Sequence, residues 1–108
     1  MSDYVFDKPR WQSLTTLEQM GNISSEVGRA LSARRRGDKA RMNSALYRGL
    51  DLIDATAEKL AKDKSPRLKE LLVAREQFGE SILGDSVDST LEEYFMQFAI
   101  AARLRQSK

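Results

Sequence analysis

Hydrophobic residues return along this chain every three or four positions over four long stretches, the period at which a helix buries one face. The first series is Leu17, Met20, Ile23, Val27 and Leu31. Thr15-x-x-Glu18 before it is a capping-box pattern and Gly37 after it is a stop signal, so a helix is predicted from Thr16 to Arg36. The second series, Met42, Leu46, Leu50, Ile53, Ala57 and Leu60, predicts a helix from Lys39 to Ala61 capped by Asp38. The third opens at Ser65-Pro66, a cap followed by proline in the first turn, presents Leu68, Leu71, Leu72, Phe78 and Ile82, and stops near Gly84. The fourth opens at Ser89-x-x-Glu92 and carries Leu91, Tyr94, Phe95, Phe98 and Ala102. No stretch alternates with the period of a strand. Short connections between long helices predict an all-α, up-down-up-down four-helix bundle over residues 14–106.

Residues 1–13 read as an N-terminal arm. Pro9 and the mixed polarity around it argue against a helix there. Tyr4, Val5, Phe6 and Trp11 are too many large apolar groups for a plain tail, so the arm is expected to dock on something.

Composition narrows the chemistry. A chain of 108 residues is one domain in length and can bury a core unaided. It has no cysteine, hence neither disulfides nor thiolate metal sites, which suits a reducing compartment. No run approaches the roughly 18 apolar residues of a membrane span, and the N-terminus lacks the basic start and apolar stretch of a secretory signal. A cytoplasmic location with no membrane association is expected. Histidine is absent as well, which removes histidine bases, histidine metal ligands, nucleophile–histidine pairs and the Glu-x-x-His di-iron pattern of helix bundles. Gly21 and Gly28 fall inside the first helix and form no phosphate loop. Asp51 and Asp54, joined by Glu26, are the candidates for a carboxylate-only Mg²⁺ site, but a solvated helix flank is the preferred account of them. No cofactor is expected.

Charge is unevenly spread. Seven of the 18 basic residues lie between Arg29 and Arg48 against Asp38 alone, whereas Glu80, Asp85, Asp88, Glu92 and Glu93 are all acids in one later stretch. Arg34, Arg35, Arg36, Lys39 and Arg41 make a basic knot at the first turn, able to contact anions. Cations are also favoured at a helix C-terminus, and the fold should bring the acidic third turn near this basic one. No aromatic residue is interleaved with the arginines for base stacking, so nucleic acid is an alternative rather than the favoured partner.

Three further features stand out. Gly21, Ser25, Gly28 and Ser32 form a stripe of small residues on the first helix, with Ala45 and Gly49 as small positions on the second. Tight packing of those two helices is one reading and a subunit interface the other. The fourth helix carries a second apolar stripe, Met96, Ile100 and Leu104, pointing away from its core face and needing cover from the arm or from a second subunit. Arg75 falls at the middle of the apolar arc of the third helix, not on its flank. It is expected either to snorkel or to join Glu26, Asp54 and Tyr94 in an internal polar network or pocket.

The run Trp11…Leu17-Glu18-Gln19-Met20-x-Asn22-Ile23-x-Ser25-Glu26-Val27, with Tyr94-Phe95-x-x-Phe98-Ala99-x-Ala101-Ala102-Arg103, resembles a family of small uncharacterised bacterial all-helical proteins. More distantly the layout is similar to the helical bundles of the HEPN and nucleotidyltransferase-partner group. Ribonucleases of that group need an arginine-to-histidine motif, and a chain without histidine carries none of their catalytic residues. The resemblance therefore implies a non-catalytic partner. The sequence points to a non-enzymatic interaction module that forms a homodimer or binds a protein partner. A nucleic-acid-contacting accessory protein using the turn from Arg34 to Arg41, and a Mg²⁺-dependent enzyme using Asp51 and Asp54, are the alternatives.

Overall fold

The computed structural model describes residues 6–84 and 89–106. Tyr4, Val5, Asp85 and Asp88 lie outside the described residues, as do the side chains of Ser89 and Ala102. The chain is an all-α bundle of α1 (Lys8–Ser13), α2 (Thr16–Arg36), α3 (Lys39–Lys62), α4 (Arg67–Leu83) and α5 (Ser89–Gln106). Among the described residues no helix is long and apolar enough to cross a membrane.

The helix ends follow from local hydrogen bonding. At Thr15 both halves of the capping box form: its hydroxyl accepts from the Glu18 N–H at 3.1 Å, and the Glu18 carboxylate accepts from the Thr15 N–H at 2.9 Å. These bonds to the carboxylate hold the Glu18 pKa below its ordinary value. Gly37 closes α2 with φ +75°, a conformation that glycine adopts without a Cβ clash. Asp38 caps α3 through the Arg41 N–H at 3.1 Å. The far end of α3 closes in the same left-handed manner through Lys64, φ +52°, with Ser65 N–H bonded back to the Leu60 carbonyl at 2.9 Å. The Ser65 hydroxyl then accepts from the Arg67 N–H at 3.2 Å and starts α4.

Helix α2 is the hub. It packs along α3 on one side and α5 on the other, while α4 leans on α3 and barely meets α5. Met20, Ile23, Val27 and Leu31 of α2 meet Leu46 and Ile53 of α3, Leu71 and Phe78 of α4, and Leu91, Phe95 and Phe98 of α5 in one buried cluster. Gly49 is where α3 must be bare: a Cβ there would lie 2.8 Å from Cε2 of Phe78.

The arm departs from the sequence expectation. Residues 8–13 are helical despite Pro9, because proline in the first turn forfeits no intrahelical bond and the Asp7 carboxylate caps the Arg10 N–H at 3.1 Å. Helix α1 is seated on α2 and α3 by Trp11, which is buried. Its indole N–H donates to Thr56 Oγ1 at 3.1 Å, Thr56 donates to Gln19 Oε1 at 3.2 Å, and Gln19 Nε2 donates to the Trp11 carbonyl at 2.8 Å.

Helix α4 is also rotated from its expected setting. Its buried residues are Leu71, Ala74, Phe78, Ser81 and Ile82, while Leu72 is exposed. At about 100° per residue this moves the centre of the buried face away from Arg75, which lies on its flank.

Candidate functional site

The small residues of α2 do not disappear into a helix–helix contact. Ser25, Gly28 and Ser32 form, with Ala40, Ser44 and Ala45 of α3, the floor of an open groove of about 880 Å³. Its rims are Arg29 and Arg36 on α2 and Arg41 and Arg48 on α3. Within each helix the two arginines are seven residues apart, two turns, so they project on the same side about 10 Å apart. The two-residue turn at Gly37 and Asp38 folds α3 back on α2. Arg36 and Arg41 therefore share the turn end of the groove, and Arg29 and Arg48 share the other.

The inner pair is set in place from below. Glu26 is buried, and its carboxylate binds Arg29 through Oε1 and Arg48 Nε through Oε2, the latter at 2.8 Å. One carboxylate thus orients two guanidiniums and neutralises one of them. At the turn end, Arg36 donates to the Ser32 hydroxyl at 2.7 Å. Arg41 Nε stands 3.5 Å from an Asp38 carboxylate that already caps the helix. The lining of the groove carries four guanidiniums and no acidic residue. The serine hydroxyls add neutral donors to the floor, and a Cβ built on Gly28 would meet nothing within 4 Å.

The basic knot read from the sequence divides in two. Arg36 and Arg41 face the groove, and Lys39 is exposed. Arg34 instead donates to the Gly84 carbonyl and Arg35 to the Glu92 carboxylate, tying the end of α2 to the end of α4 and the start of α5. Arg29 and Arg48 were not among the candidate residues. Their signal was the seven-residue spacing on each side of one short turn.

Of the residues grouped around Arg75, Asp54 meets it, while Glu26 and Tyr94 make other contacts. Arg75 binds Asp54 with two nitrogens, Nε to Oδ1 at 2.7 Å and Nη2 to Oδ2 at 3.2 Å. Glu26 belongs to the groove. Tyr94 makes edge contacts with Phe95 and Phe98, and its hydroxyl is buried without a hydrogen-bond partner among the described residues. Burial first, and the Glu70 charge second, push its pKa up to about 12. The side chains of Arg75 and Asp54 are 41% and 56% exposed, so theirs is a surface pair rather than a buried network. Asp51 is exposed, and no group of three or more metal-binding side chains occurs among the described residues.

On α5, Met96, Ile100 and Leu104 are 49%, 51% and 66% exposed. The described part of the arm docks on α2 and α3 and does not cover them. Comparison of the chain with protein-family models, with curated proteins and with solved structures returns no match.

Proposed function

We propose that this chain is a non-enzymatic interaction module that binds an acidic segment of a protein partner in the groove between α2 and α3. The observation that carries the reading is the arrangement of four arginines on two rims above a floor of small residues, with a buried carboxylate holding two of them in place. A guanidinium restrained before binding loses less side-chain freedom when it meets a carboxylate, which favours a defined site over a diffuse basic surface. Asp54 is engaged by Arg75 and Glu26 by Arg29 and Arg48, which gives two of the three carboxylates of the metal-enzyme alternative other partners. Binding of fluorescent polyglutamate to the full chain tests the reading. Changing Arg36 and Arg41 together to serine should weaken it about tenfold, at roughly 0.5–1 kcal/mol per exposed charge pair, with an unchanged melting temperature. Equal binding by parent and variant refutes it. Tighter binding of a single-stranded RNA of equal charge transfers the site to the nucleic-acid alternative.

Self-association is the second reading, supported by the stripe Met96, Ile100 and Leu104, which the described residues leave exposed. Sedimentation of the full chain at increasing concentration should reveal a dimer that Ile100→Glu dissolves. A chain that stays monomeric throughout removes this reading and leaves the groove untouched.

A further inference from the structure

The open groove is one half of a longer seam. Along α3 the residues Arg41, Ser44, Arg48, Asp51, Ala55 and Glu58 follow one another at alternating intervals of three and four, a single stripe down one side of the helix. The first half of that stripe lines the arginine groove. The second half lies against the arm: Phe6 and Lys8 face Asp51, Ala55 and Glu58 across a cleft of about 360 Å³. Beside this half α1 is anchored by Trp11, whose indole donates to Thr56 of α3 and whose carbonyl accepts from Gln19 of α2.

The charges of occupant and seat are opposite in the filled half. Lys8 of α1 pairs with Glu58 at 2.9 Å and holds that carboxyl below its ordinary pKa. At Arg48 and Asp51 the stripe changes sign, and the half beyond α1 is basic on both rims. Its floor has no side chain larger than serine, so a helix backbone can approach closely there. Its arginines recur at seven residues, the interval at which side chains return to one face of an incoming helix.

Resting on the reading of the groove as an acidic-partner site, we infer that its occupant is a helix of a partner protein, with acidic side chains on one face at seven-residue spacing, lying in the seam in line with α1. An extended acidic segment or a nucleic acid would use the charges but not the small floor. A helix uses both.

The probe is an alanine-based helical peptide of roughly 18 residues, carrying two glutamates per arginine pair with the pairs seven residues apart. A second peptide of the same composition has its glutamates spread around the helix. Both are titrated against the full chain and against Gly28→Leu, which keeps every arginine and fills the floor at a position open enough to accept a side chain. The spaced peptide should bind roughly tenfold more tightly than the spread one, a difference of about 1.4 kcal/mol, and Gly28→Leu should abolish that advantage. If the two peptides bind equally and Gly28→Leu changes neither, the helical occupant is refuted while acidic binding at the groove stands. If no acidic probe binds, both readings fall. If single-stranded RNA binds more tightly than either peptide, the protein-helix occupant is overturned.

Discussion

Replacing Thr56 with valine removes one hydroxyl and leaves the side chain's shape nearly intact. That hydroxyl is the hinge of the contact between α1 and the bundle: it accepts from the Trp11 indole N–H at 3.1 Å and donates to Gln19 Oε1 at 3.2 Å. All three residues are buried, so Thr56→Val strands one donor and one acceptor. Each stranded buried group costs about 1–3 kcal/mol, against which the added methyl contributes well under 1 kcal/mol. The Gln19 bond to the Trp11 carbonyl at 2.8 Å persists and limits the loss. The expected net destabilisation is about 1.5–3 kcal/mol. With an unfolding entropy of about 2.1 cal/mol/K per residue, a chain of 108 residues should melt roughly 7–13 °C lower. The assay separates a local from a global effect because Trp11 is the single tryptophan. Its emission should shift to longer wavelength as α1 loosens, below the temperature at which far-ultraviolet dichroism reports loss of the bundle. A double-mutant cycle with Gln19→Met should give a coupling of about 0.5–3 kcal/mol. An unchanged melting temperature with unchanged tryptophan emission refutes the claim that this buried triad seats α1.

Gly49→Ala should destabilise by about 1–3 kcal/mol, since its Cβ would press to 2.8 Å on the buried Phe78 ring. Gly28→Ala, with open space at its Cβ, should stabilise by about 0.5–1 kcal/mol, and chemical denaturation that ranks the two the other way refutes this account of α2 and α3. Lys64→Gly relieves a left-handed non-glycine residue, φ +52°, and should raise stability by about 0.5–1 kcal/mol in the same assay; a loss would mean that the lysine side chain outweighs its backbone cost. Tyr94 is held as the neutral phenol with its pKa raised to about 12, so its contribution is complete below the ordinary tyrosine value near 10 and is lost as pH rises from there through about 12. Because its hydroxyl is buried without a partner among the described residues, Tyr94→Phe should melt no lower than the parent at neutral pH and should show a smaller alkaline loss; an unchanged pH profile refutes the assignment.

What was legible in the sequence was whatever depends on neighbours along the chain. The capping box at Thr15, the left-handed Gly37 and the Asp38 cap are complete within a few residues, and each helix boundary they predict lies within a residue or two of the one observed. The arm departs from its sequence expectation for a related reason. Proline forbids a helix interior but not a first turn, and a six-residue helix of little intrinsic stability forms because a partner elsewhere, Thr56, completes its buried hydrogen bond. Leu72 shows the limit of periodicity: an apolar residue beside an apolar arc was counted into it, and that placed Arg75 at the centre of a face it only borders. The groove lies furthest from sequence legibility because it is defined by what does not fill it. The small stripe Ser25, Gly28 and Ser32 looks the same from the sequence whether a neighbouring helix covers it or solvent does, and α3 runs beside it rather than over it. The buried Glu26 decides the matter for the arginines. On the sequence it was one more carboxylate near a helix flank, but in the fold it is the group from which Arg29 and Arg48, distant along the chain, are both aimed. A site built from seven-residue spacings on two helices becomes visible only once the turn between them sets their register.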